Sequence, residues 1–247
     1  TSGRPGVGRL TLPREPRTQP PPVILLFATR APGQRLRGYE PRVLAWTELG
    51  YAVVQGDRQL HLTSPRDGEV DSDAEKARLQ WAWDALDTLR RRGDVLDHRR
   101  VIVMGERGGG YAALRAAQLF PDRVRAVVAI EPHTDLDAWY GAGKGAPVTQ
   151  PMLLMSVPPP SPRGMIERVK DLPRPSPQYM AAQAISADAR RAGAPTEFRP
   201  LAVDHLRGYP RATAETYAQV ERFLREIALR FEVEIGEPTV VDEAEGQ

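Results

Sequence analysis

The chain has 247 residues, of which 41% are hydrophobic and 27% are charged, and this composition suits one α/β domain with a single substantial core. Its formal net charge is only +2 and its basic residues are scattered among acidic ones, so no nucleic-acid-binding surface is expected. No run approaches the roughly 18 apolar residues of a membrane span. The absence of cysteine excludes disulfides and thiolate metal sites but fits either redox compartment.

The composition divides the chain into three segments. Residues 1–22 are rich in Pro and Arg and are predicted to run extended along the surface, with one short strand at 8–12. Residues 23–232 are predicted to form a single α/β domain, and the acidic residues 233–247 are predicted to fray. The chain begins at Thr1 without Met or a hydrophobic signal segment, which indicates processing or a fragment of a longer, soluble protein. Localisation therefore stays open.

Strand and helix patterns alternate along the central segment. Strands are predicted at 23–28, 51–55, 101–104, 124–130, 152–155 and 196–201. Helices are predicted at 41–49, 73–92, 110–120, 178–192 and 212–230. This alternation predicts a mostly parallel sheet covered by helices on both faces, with functional residues at the carboxyl ends of the strands.

Glycines cluster where the strand at 101–104 gives way to the next helix. Residues 105–110 read GERGGG, where a hydrolase would carry G-x-S-x-G-G, a sharp turn that holds a nucleophile over the end of the sheet. Arg107 takes the place of that nucleophile. A guanidinium is permanently protonated and has no lone pair with which to attack a carbonyl. The motif thus predicts a hydrolase scaffold without the usual chemistry.

Further motifs occur in the order and spacing of one family. They are Asp97-x-x-Arg100, Gly109-Gly110-Tyr111, Phe120-Pro121-Asp122-Arg123 and Pro132-x-x-Asp135, preceded by Pro32-Gly33, Gly50-Tyr51-Ala52-Val53 and Asp57-Arg58 and followed by Asp204-His205, Tyr217 and Phe223-Leu224. Together they resemble the prolyl oligopeptidase family of serine peptidases over roughly residues 10–232. The resemblance implies the α/β-hydrolase fold.

The resemblance also implies where a catalytic triad would lie, and most of those positions are replaced. Arg107 stands for the serine and Pro160 for the acid, while the loop that shapes the oxyanion site begins Thr29-Arg30-Ala31 instead of H-G-G. His205 is retained, together with the Gly108 backbone N–H that could form half of an oxyanion hole. Loss of two triad members leaves little beyond binding, so ordinary serine hydrolysis is not expected.

Two interpretations of the remaining site residues stay open. Arg107 either closes a vestigial pocket through a salt bridge to Glu131 or Asp204, or binds an anionic ligand, because a cation at a helix start needs an anionic partner. His205 without an orienting acid is either a structural hydrogen-bonding group or a base. Trp139 either lines the cleft or packs beneath it.

Other candidates give weaker signals. His61 and His133 lie in loops near strand ends, but their spacing resembles no metal triad, so neither a metal nor a cofactor is expected. Ser64, Ser156 and Ser161 are the loop-borne hydroxyls that could replace the missing nucleophile.

The favoured hypothesis is a catalytically inactive pseudo-hydrolase that acts as a binding or scaffolding module for an anionic small molecule, a peptide carboxylate or another protein. The alternative is a peptidase-like or esterase-like hydrolase of unusual mechanism, with His205 as base and Arg107 as the group that binds an anionic substrate. The candidate ligand-binding residues are Arg107, Gly108, Glu131, His205, Arg30 and Trp139.

Overall fold

A single mixed sheet forms the centre of the molecule. The computed structural model describes residues 8–14, 19–27, 40–56, 72–91, 96–134, 136–141, 147–158, 176–201 and 210–235. The strands of this part of the chain are β1 (Gly8–Thr11), β2 (Pro22–Phe27), β3 (Ala52–Gly56), β4 (Asp97–Glu106), β5 (Ala126–Ile130), β6 (Met152–Ser156) and β7 (Thr196–Pro200). Their order is β1-β3-β2-β4-β5-β6-β7. Only β1 pairs antiparallel, so the mostly parallel sheet is confirmed.

Helices cover both faces of this sheet. They are α1 (Glu40–Glu48), α2 (Ser72–Arg91), α3 (Gly108–Leu119), α4 (Leu136–Gly141), α5 (Pro177–Arg191) and α6 (Pro210–Ile235), with a short 3-10 turn at Pro121–Arg123. Side chains of α2, α3 and α5 pack on one face with Val23, Leu25 and Leu154. Side chains of α1 and α6 pack on the other face with Ile24 and Val128. Successive β2 side chains therefore enter different cores, as the pleat of a strand requires.

The predicted strand omitted the first four residues of β4, because these residues are polar. The strand was predicted from its apolar residues at 101–104, but it begins at Asp97 and ends at Glu106. The Asp97 N–H donates to the Pro21 carbonyl at 3.0 Å, and the Arg100 guanidinium donates to the Pro20 carbonyl at 2.9 Å. Asp97 and Arg100 also form an ion pair at 2.6 Å. Backbone pairing and this ion pair thus extend the strand beyond its apolar part.

Other differences from the predicted elements are small. α3 begins two residues before the predicted start, because the Tyr111 N–H donates to the Arg107 carbonyl at 3.0 Å. The short helix α4 was not predicted. β1 corresponds to the strand predicted at 8–12 and adds to the edge of the sheet beside β3. α6 continues to Ile235, and residues 236–247 lie outside the described part. None of the helices described combines the length and apolar character needed to cross a bilayer.

Candidate functional site

The turn between β4 and α3 holds Arg107 at the carboxyl edge of the sheet. Its φ of 54° and ψ of −120° form a conformation that residues other than glycine rarely adopt. Neighbouring backbone holds it there: the Arg107 N–H donates to the Ile130 carbonyl at 2.8 Å, and the Arg107 carbonyl accepts from His133 N–H at 3.1 Å. The residue at the nucleophile position is thus fixed by the next strand and by the loop that follows it.

Close approach of β4, α3 and β2 explains the glycines around this turn. A Cβ atom on Gly105 would collide with the carbonyl of Gly109, and one on Gly109 would collide with the carbonyl of Phe27. Gly108 is buried and is the first residue of α3, so no carbonyl within the helix accepts its N–H. The turn therefore places a helix N-terminus, with its partial positive charge, directly after Arg107.

Glu131 lies beside this turn, after the last residue of β5. Its φ is 44°, its side chain is buried, and its N–H donates to the Met155 carbonyl at 2.7 Å. The carboxylate Oε2 accepts hydrogen bonds from the Ser156 hydroxyl at 3.1 Å and from the Val157 N–H at 2.8 Å. These bonds join the carboxylate to the end of β6. The predicted ion pair between Arg107 and Glu131 stays a prediction.

Ser156 was a candidate for a replacement nucleophile, and the structure places it in the interior. It is fully buried, and its hydroxyl donates to the Glu131 carboxylate. Nucleophilic attack requires access to a carbonyl carbon, and this hydroxyl has no exposure to solvent.

His133 belongs to the same neighbourhood, although the sequence predicted only that it lies in a loop near a strand end. Its ring keeps contact with solvent, yet loss of part of its hydration lowers its pKa below the usual 6.5, and the nearby Arg107 guanidinium lowers that pKa further. The Glu106 carboxylate opposes both effects. An imidazole, a guanidinium and a carboxylate thus interact at the end of β4.

Comparison with known proteins addresses the fold. The sequence matches no protein-family model, and no curated protein sequence is significantly similar to it. Among solved structures, it is similar to a bacterial heroin esterase, with 16% identity, a TM-score of 0.59 and coverage of 89% of this chain and 78% of that one. It is also similar to the acylaminoacyl peptidase of Pyrococcus horikoshii, with 15% identity and a TM-score of 0.56. The chain has the α/β-hydrolase fold.

The same comparisons limit what is shared. The match with the acylaminoacyl peptidase includes 87% of this chain but only 39% of the peptidase, so this chain spans well under half of that protein's length. The enterobactin esterase FES from Shigella flexneri matches with 16% identity, a TM-score of 0.53 and coverage of 79% of this chain and 49% of its own. At these identities the likeness concerns the α/β-hydrolase fold alone.

The turn between β4 and α3, from here on called the elbow, also contacts α1 and α6 through polar side chains. The Tyr217 hydroxyl donates to Glu106 Oε2 at 3.2 Å, and the Arg42 guanidinium lies 3.7 Å from the centre of the Tyr217 ring. The Trp46 ring packs at 6.1 Å from the same ring. Sequence reasoning missed the roles of Glu106 and Arg42, because Glu106 occupies a variable position of the glycine motif and charged residues such as Arg42 are common on helix surfaces.

Trp139 lies in the core between α4 and α5. Only 4% of it is exposed, and it packs with the apolar side chains of α5. It also lines a cavity of about 320 Å³ together with Tyr140, Asp188 and Arg191. The Tyr140 hydroxyl donates to Asp188 at 2.5 Å.

Several predicted site residues lie outside the described part of the chain. They are Arg30, His61, Ser64, Pro160, Ser161, Asp204 and His205. Among the described residues, no group of three His, Asp or Glu side chains could hold a metal ion.

Proposed function

We propose that this chain is a catalytically inactive hydrolase-fold protein whose elbow binds an anionic group of a small molecule or peptide, such as a carboxylate. The observation that carries the proposal is Arg107 at φ 54° and ψ −120°, at the residue that the turn presents to the carboxyl edge. A guanidinium there can form two parallel hydrogen bonds to a carboxylate or phosphate but cannot attack a carbonyl.

The surroundings of Arg107 favour an anionic ligand. The N-terminal turn of α3 adds partial positive charge, and a His133 imidazole with a lowered pKa stays neutral near pH 7, where one ring N–H can donate a hydrogen bond. The Glu106 carboxylate, next to Arg107 in the chain, accepts a hydrogen bond from the Tyr217 hydroxyl of α6.

Thermal unfolding with added anions tests the proposal. Acetate, succinate and inorganic phosphate should raise the melting temperature in a saturable manner, because a ligand that binds only the folded state stabilises it. Arg107→Ala should abolish this response. Arg99→Ala is the matched control, since it removes the same charge from an exposed position at the opposite end of β4. An unchanged anion response in Arg107→Ala would refute anion binding at the elbow.

Active-site labelling tests the lack of catalysis separately. A fluorophosphonate modifies an activated serine, and the elbow holds none, so the folded protein should remain unlabelled by intact-mass measurement. Stoichiometric modification of any serine would show that a nucleophile operates elsewhere in the chain.

One observation favours the alternative, a hydrolase of unusual mechanism with His205 as base. The elbow keeps the strained backbone at residue 107, and such strain is concentrated at functional sites. If this hypothesis is correct, the protein should hydrolyse activated esters such as p-nitrophenyl succinate, and both His205→Ala and Arg107→Ala should abolish turnover. This hypothesis would be excluded if the wild type showed no turnover, or if neither substitution changed the rate.

A further inference from the structure

The face formed by α1 and α6 carries a second feature, independent of the elbow. A cavity of about 510 Å³ opens between the end of α1 and the second half of α6, with an apolar lining that includes Ala45, Leu49 and Ala228. Tyr51 also lines it and is buried, and its hydroxyl donates to the Leu224 carbonyl of α6 at 2.6 Å. The cavity therefore has a fixed floor that joins α6 to the residue preceding β3.

One exposed leucine lies on the rim of this cavity, and a second precedes one of its lining residues in the chain. Leu229 lies on its rim and is 63% exposed, the highest exposure of any large hydrophobic residue described. Leu44, on α1 immediately before the lining residue Ala45, is 41% exposed. A single exposed leucine is ordinary, but exposed leucines beside an open apolar cavity mark a contact surface.

The charged side chains on the rim of the cavity indicate what kind of partner could bind this face. Glu48 and Glu221 carry negative charge and Arg225 carries positive charge, and all three line the cavity. Within the described part of the chain, none of them forms an ion pair, whereas Arg222 on the same helix pairs with Glu226 and with Glu197. Acidic and basic groups thus stand together on this rim, with Glu221 and Arg225 one helical turn apart on α6.

We propose that this face is the contact between two copies of the chain related by a twofold axis. A twofold contact places the same patch on both sides, so a patch with both signs of charge can be complementary to itself. Leu229 of each copy enters the cavity of the other, and Arg225 of each copy faces the acidic rim of the other. A partner of one charge sign would leave either the acids or the arginine opposed by like charge.

Sedimentation velocity of the full chain over a range of concentrations tests the contact. The wild type should sediment as a species of about twice 27.4 kDa at high concentration. Leu229→Glu should raise the dimer dissociation constant at least about tenfold, as expected for a central apolar residue. Met180→Glu, at an exposed position of α5 on the other face of the sheet, should leave it unchanged.

Charge-reversed variants distinguish a contact between two copies from a role of these residues in folding alone. Arg225→Glu leaves three acids on the rim, and the double substitution Glu48→Arg with Glu221→Arg leaves three bases, so each variant alone should be monomeric. An equimolar mixture of the two should form a heterodimer. Far-UV circular dichroism spectra should match that of the wild type, because all three side chains lie on the rim of the cavity and not in the core. A wild type that stays monomeric at every concentration, or a mixture that stays monomeric, would overturn the proposal.

Discussion

Arg107 has no intrinsic reason to adopt a positive φ, because the left-handed region crowds its Cβ against the backbone. Strain of this kind costs on the order of 1 to 3 kcal/mol. The hydrogen bonds to Ile130 and from His133 help to hold the turn despite that cost. The backbone geometry of an elbow is thus held with arginine at residue 107, since neighbouring backbone groups determine it and not the side chain.

Glu131→Gln should lower the free energy of unfolding by about 1 to 3 kcal/mol. The buried carboxylate accepts hydrogen bonds from Ser156 and Val157, and a neutral amide forms weaker bonds and presents N–H groups where acceptors are needed. Chemical denaturation measures the change. Glu226→Gln, at an exposed ion pair, is the control and should change stability by no more than about 0.5 kcal/mol. A loss at Glu131 as small as that of the control would mean that the carboxylate does not hold β6.

His133 predicts a pH dependence whose sign follows from its lowered pKa. Because the folded protein binds the proton less readily than the unfolded chain, His133 contributes stability above the unfolded pKa of 6.5, and this contribution is lost as the pH falls through the lower folded pKa. NMR titration should place the folded pKa below 6.5. Arg107→Gln should raise it part of the way back, since desolvation remains the larger cause. A folded pKa at or above 6.5 would contradict the described surroundings of His133.

Helix α3 is the element whose position depends most directly on glycine. Gly109→Ala should destabilise the protein by about 3 kcal/mol or more, because its Cβ would meet the Phe27 carbonyl of β2, which is backbone and cannot move aside. Gly193→Ala is the comparison in which a Cβ atom causes backbone strain but no collision. Gly193 has a φ of +85° and open space around it, so this substitution should cost about 1 kcal/mol. Thermal unfolding gives both values. Equal costs would show that α3 can shift away from β2.

The central strands and most helices could be predicted from sequence, because apolar runs and helical periodicity are local patterns. β2 is buried along its whole length, as its uninterrupted apolar run indicates. The first residues of β4 could not be predicted, since their pairing depends on Pro20 and Pro21, about 80 positions earlier in the chain. Helix α4 is six residues long, too short for a periodic pattern to stand out.

At the scale of the whole molecule, an elbow alone does not make a hydrolase. Arg107→Ser should restore no measurable peptidase or esterase turnover, because Pro160 stands where the resemblance places the acid and the loop at 29–31 lacks its glycines. Assays with peptide and ester substrates, with Arg107→Ala as the matched background, measure this. Robust turnover dependent on the new serine would show that an acid at a position other than Pro160 orients His205.

The sequence by itself determined the parallel α/β architecture and the glycine-rich turn with Arg107 in it, since both depend on which residues follow one another. Only the tertiary structure brought His133 to Glu106 and Arg107, joined Glu106 to Tyr217 across 111 positions, and turned the Glu131 carboxylate toward β6. It alone also created the cavity between α1 and α6. These contacts depend on how separate elements pack, and polar side chains at strand ends carry no periodic signal that reveals their partners.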